Sequence, residues 1–205
     1  MRRTRLAIYC AVTLLLSQSA LADLQSPEMC GFTVEVIGGN VSAHNPEATV
    51  RISAYFPSNY FAFAYSEFDL LSSDPDGMFS NITLPEPIGP PNLCNIFEPG
   101  VPTAGGVVGA NFFQINIGCT ANWMNPIPIW EATWSTTDFT ARDILLTTAN
   151  TNIFAVYETV GSAGGPDLIP LGLFQHGSAV IHVVPAPGLS LCAIGGIVCA
   201  SRRRR

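Results

Sequence analysis

Alternation at every second residue runs through the middle of this chain and confines it to sheet structure. Val50, Ile52, Ala54 and Phe56 share one parity, and Thr49, Arg51, Ser53 and Tyr55 share the other. A strand there has one apolar and one polar face. Phe32-Thr33-Val34-Glu35-Val36 alternates and stops at Gly38-Gly39-Asn40. Residues 60–71 are almost continuously apolar and aromatic, as expected of a strand covered on both faces. Pro57-Ser58-Asn59 and Asp74-Pro75-Asp76-Gly77 mark turns. Further strands are predicted at 81–84, 112–117, 127–134, 144–148, 153–160 and 179–184, with Asn150-Thr151-Asn152 as a hairpin loop between two of them. Residues 85–102 hold six prolines and read as one long irregular loop. No window between the chain ends has helical periodicity, and no repeat of solenoid length is present. About nine short strands between residues 23 and 184 predict an all-β fold, a single antiparallel β-sandwich with a jelly roll among its topologies.

Charge is partitioned along the chain. There is no lysine, and seven of the nine arginines sit at the two ends. Residues 23–184 carry all 15 acids and only Arg51 and Arg142, a net charge of −13 against −6 for the whole chain. That surface repels phosphate backbones, so nucleic acid is not an expected partner. At 48% hydrophobic and 12% charged the chain has ample apolar material to collapse, which excludes disorder. The apolarity is not gathered into several runs of about 20 residues, which excludes a polytopic membrane protein.

Both ends read as targeting segments. Arg2, Arg3 and Arg5 precede an apolar run from Leu6 to Leu16, then Ala20-Leu21-Ala22. This is the pattern of a signal peptide over residues 1–22, a helix cut after Ala22 to leave Asp23 first. At the other end Val184-Pro185-Ala186-Pro187-Gly188 leads into an uncharged run, residues 189–200, and then Arg202, Arg203, Arg204 and Arg205. Residues 188–201 form a helix of about 21 Å, short of the ~30 Å hydrocarbon core. Such a segment enters a membrane transiently, with its arginines held on the cytoplasmic side.

These residues resemble a PEP-CTERM sorting signal: a Pro-Glu-Pro-like motif, a brief apolar helix and a terminal arginine cluster. Val184, Pro185, Ala186 and Pro187 match the motif, with Ala186 where the pattern has Glu. Residues 189–200 match the helix, and Arg202 to Arg205 the basic end. The resemblance covers residues 185–205. It implies processing by signal peptidase and by an exosortase-class membrane protease, after transient membrane insertion. It also implies delivery to the cell surface or extracellular matrix of a bacterium.

Candidate chemistry between the ends is sparse. The exported part keeps Cys30, Cys94 and Cys119, so an oxidising compartment leaves one disulfide and one free thiol. The favoured pair is Cys94–Cys119, which flanks the Pro-rich loop. No C-x-x-C, H-E-x-x-H or G-x-S-x-G motif occurs, and three scattered histidines (His44, His176 and His182) supply no positioned base. No cofactor is expected. Glu67, Asp69, Asp74 and Asp76 cluster in sequence, and Asp74 and Asp76 are the residues a Ca2+ ion would use. Trp123, Trp130 and Trp134 could stack against sugars if exposed, whereas inward-facing tryptophans are core. The sequence therefore predicts an exported, non-enzymatic surface or matrix protein. Its alternatives are a carbohydrate-binding module for exopolysaccharide and a glycoside hydrolase with paired carboxylates.

Overall fold

A computed structural model describes residues 29–86, 88, 94–115, 124–158, 165–170 and 173–185. The signal and tail helices, Ala20, Ala22, Ala186, Pro187, Arg202 to Arg205, Cys119 and Trp123 lie outside the described residues. What is described is all strand, turn and bend. The strands are β1 (Cys30–Ile37), β2 (Glu47–Tyr55), β3 (Ala62–Ser72), β4 (Met78–Thr83), β5 (Asn95–Glu98) and β6 (Val101–Thr103). They continue as β7 (Gly106–Gln114), β8 (Ile127–Ser135), β9 (Arg142–Tyr157), β10 (Asp167–Leu168), β11 (Phe174–Gln175) and β12 (Ser178–Val183). Five strands form one sheet, in the order β11-β1-β2-β8-β4. Seven form the other, running β10-β9-β3-β7-β5, with β12 pairing β9 and β6 pairing β7. Pairing is antiparallel except between β1 and β11.

The predicted parity decides what lies between the sheets. Val50, Ile52 and Ala54 of β2 are fully buried and lie beside Val36, Val34 and Phe32 of β1, and beside β8, within the same sheet. From the facing sheet Phe63, Phe68, Phe112 and Phe154 point inward. They interlock edge-on and stacked, with Phe63 and Phe154 at 5.3 Å and 78° and Phe63 and Phe112 at 6.0 Å and 5°. Gly77 presses against the buried Trp134, whose indole a Cβ at that position would strike. The turn predicted at 74–77 therefore needs glycine for this close approach.

Three sequence expectations are corrected. The segments 144–148 and 153–160 are not two strands around a hairpin loop: Arg142–Tyr157 is one strand. Its partner β3 advances two residues, from Glu67 to Asp69, while β9 advances four, from Ile153 back to Ala149. Asn150, at φ 48°, therefore occupies a bulge. The Pro-rich stretch is not wholly irregular, since β5 and the start of β6 fall inside it. Residues 62–64 are buried on both faces, but from Tyr65 onward β3 alternates.

Candidate functional site

The residues singled out from sequence do not converge on one place. Trp130 and Trp134 are fully buried, so neither takes part in a sugar-stacking platform. The Trp130 Nε1–H donates to the Pro99 carbonyl at 3.1 Å, and its ring meets Phe79 edge-on at 6.1 Å. Asp74 is buried and spoken for: one oxygen accepts the Asp76 N–H at 3.1 Å, the other an Arg142 Nη2–H at 2.7 Å. A calcium ion at Asp74 and Asp76 would have to displace that guanidinium. Among the described residues no group of three or more His, Cys, Asp or Glu side chains is arranged to hold a metal. Glu67 and Asp69 share the outer face of β3 as expected. They stand on an open sheet, and both Asp69 oxygens are taken by the Gly109 N–H at 2.8 Å and the Asn150 amide at 2.7 Å. A hydrolase pair in a cleft does not form there.

Cys94 is disulfide-bonded to a residue outside the described set, and Cys30 is a free, buried thiol. Burial pushes the Cys30 thiol up to about 11. A raised thiol pKa favours folding below the ordinary thiol range and withdraws that contribution as pH climbs toward the raised value. The urea midpoint of the wild type is thus expected to fall between about pH 8.5 and 11 more steeply than that of Cys30→Ala. Equal slopes would refute the assignment.

Sequence reasoning missed a surface that pairing reveals. The outward residues of the seven-stranded sheet line up in rows across strands. Ile96, Phe113, Tyr65 and Ala155 form one row; Glu98, Asn111, Glu67 and Ile153 form the next. Farther along, Leu145 sits opposite Val180, and Leu71 beside Thr147. Ile96, Leu71, Leu145, Ile153 and Val180 are all exposed, while the Tyr65 and Phe113 rings contact edge-on at 6.0 Å. Burial first, then the Glu67 and Glu98 charges, raise the Tyr65 phenol above its ordinary range. The outer face of the five-stranded sheet differs. It is polar, with Thr49, Ser53 and Thr133 around an Arg51–Glu131 pair at 2.7 Å. Alternation alone identifies which residues face outward. Which outward residues become neighbours depends on register, which no local pattern supplies.

With this topology in hand, the comparisons settle the architecture. The seventh ScaB type I cohesin of Pseudobacteroides cellulosolvens matches at TM-score 0.53 and 15% identity, over 79% of this chain and 96% of that one. The fold is a cohesin-like β-sandwich. A cohesin module from a family 33 glycoside hydrolase of Clostridium perfringens matches at TM-score 0.52 and 9% identity, over 77% of this chain and 98% of that one. No family model matches the chain, and no curated protein does.

Proposed function

We propose that this chain is an exported, non-enzymatic surface protein whose sandwich recognises a basic protein partner. Residues 1–22 start export. Residues 185–205 act as a PEP-CTERM-like tail, inserted transiently and cut by an exosortase-class protease, which delivers the domain to the cell surface or matrix. The observation that carries the recognition half is the asymmetry between the two outer faces. One is polar, with Arg51 paired to Glu131 beside the exposed Glu35 and Glu47. The other offers exposed apolar side chains among Glu67, Asp69 and Glu98. Monomers rarely leave such a face uncovered without a use for it. Both arginines of the described domain are consumed by ion pairs with its own acids, so complementarity must come from cations on the partner.

The test has two readouts. Intact mass of the secreted product is expected to show a chain that begins at Asp23 and lacks Arg202 to Arg205; a product retaining both ends refutes the export and sorting reading. A photo-crosslinking residue encoded at position 67 is expected to give a discrete protein adduct that fades near 1 M salt, where screening shortens to about 3 Å. The same residue at Thr49, on the polar face, should give none. Equal adducts from both positions, or a polysaccharide smear from position 67, would overturn protein recognition at this face.

A further inference from the structure

The folded domain holds the chain to the very edge of the tail. The Val184 N–H donates to the Val41 carbonyl at 2.8 Å, and the Val41 N–H to the His182 carbonyl at 2.9 Å; Val41 is fully buried. Only Pro185, Ala186, Pro187 and Gly188 separate this clasp from the apolar run at Leu189. Four residues reach at most about 14 Å. The loops 38–46, 73–77, 104–105 and 136–141 leave the sheets at the same end as the close of β12, because Val183 pairs with Arg142, Ser72 lies beside Gly105 and Met78 pairs with Ser135. That pole carries a groove of about 440 Å3 between Pro75 and Ala104. At its margin Met78 is 69% exposed, and Val101, next to the lining residue Pro102, is 66% exposed.

We propose that, while the tail is in the membrane, the sandwich stands on this pole. Met78 and Val101 then rest against the boundary between lipid headgroups and acyl chains, and the opposite pole, with Ser58, points outward. The inference rests on the tail being a membrane-inserting signal. The tether is too short for any other part of the domain to reach the bilayer first. The exposed Asp76 and Asp143 stay in headgroup water and keep the contact shallow, at the upper edge of the 5–10 Å interfacial layer.

To test this, the full chain is produced by secretion, its processed N-terminus and intact tail are verified by mass, and it is reconstituted into vesicles of phosphatidylethanolamine with a minority of phosphatidylglycerol. A fluorophore is carried on an encoded residue at position 76 or 58, with an acceptor on the headgroups. The ~50 Å length of β9 separates the two sites, so transfer at position 76 is expected to exceed that at 58 by about tenfold. Comparable transfer from both sites in vesicle-bound protein overturns the orientation and leaves the tail reading intact. A chain that fails to float with vesicles overturns both. Met78→Asp combined with Val101→Asp should reduce transfer at position 76 by about twofold, and unchanged transfer refutes the lipid contact.

Discussion

Trp130→Ala is expected to cost about 3–5 kcal/mol, a large share of the ~5–15 kcal/mol that a domain of this size has to lose. The side chain is fully buried, and it ties together three parts of the fold. It projects from β8, the strand that joins β2 to β4 in the five-stranded sheet. Its ring packs on Phe79 of β4. Its Nε1–H reaches the Pro99 carbonyl, between β5 and β6 of the opposite sheet. Truncation leaves a cavity and strands that carbonyl. Trp130→Phe keeps most of the packing and forfeits the hydrogen bond, so its expected cost is nearer 1–2 kcal/mol. Urea unfolding followed by far-ultraviolet circular dichroism checks both. A loss below about 1 kcal/mol for the alanine variant would show that the indole is not the anchor this geometry makes it. If Trp130→Ala does not fold at all, the phenylalanine variant still orders the two contributions.

The burial of Trp130 and Trp134 shows what a sequence of this kind discloses. Their common parity placed both on one strand face, and burial assigns that face to the core. The same alternation located β1, β2 and β8 to within a few residues, because a strand with one face in the core must repeat every second residue. It failed where local chemistry has two uses. Asn150 has the left-handed preference that a tight turn exploits, and here it forms a bulge; Asp69 holds it, across 81 residues of sequence. Only the pairing partner distinguishes the two outcomes. The prolines of 85–102 hid β5 in the same way, since an edge strand tolerates flanking prolines that a central strand would not. The candidate face on the seven-stranded sheet was illegible for a stronger reason. Its rows are drawn from β3, β5, β7 and β9, so adjacency there is a property of the assembled sheet. The clasp between Val41 and Val184 is of the same long-range kind.

Arg142→Gln is expected to cost about 2–4 kcal/mol, nearly as much as the loss of a large core side chain, although the residue lies at the start of a strand. Its guanidinium closes the pole from which the tail departs. Nη2–H donates to Asp74 Oδ2 at 2.7 Å and to Thr136 Oγ1 at 3.1 Å; Nη1–H donates to the carbonyls of Asp138 and Thr140 at 2.7 and 3.1 Å. The Asp74 side chain is only 8% exposed. Without Arg142 its carboxylate would remain buried without a counter-charge, which costs more than the pair itself contributes. Asp74→Asn should therefore rescue part of the loss: the double variant Arg142→Gln with Asp74→Asn is expected to be more stable than Arg142→Gln alone. Additive losses would show that desolvation of Asp74 is not the cause. The neighbouring Asp138 adds a pH signature. Hydrogen bonds from the Thr140 hydroxyl and N–H hold its carboxyl below the usual range, with a smaller contribution from the Arg142 charge. A lowered carboxyl pKa stabilises the fold above the ordinary carboxylate range and loses that contribution as pH falls through it. Thr140→Val, which removes the leading hydroxyl bond, should therefore flatten the acid side of the stability profile. An acid side unchanged from the wild type would show that the hydroxyl does not hold the Asp138 carboxyl.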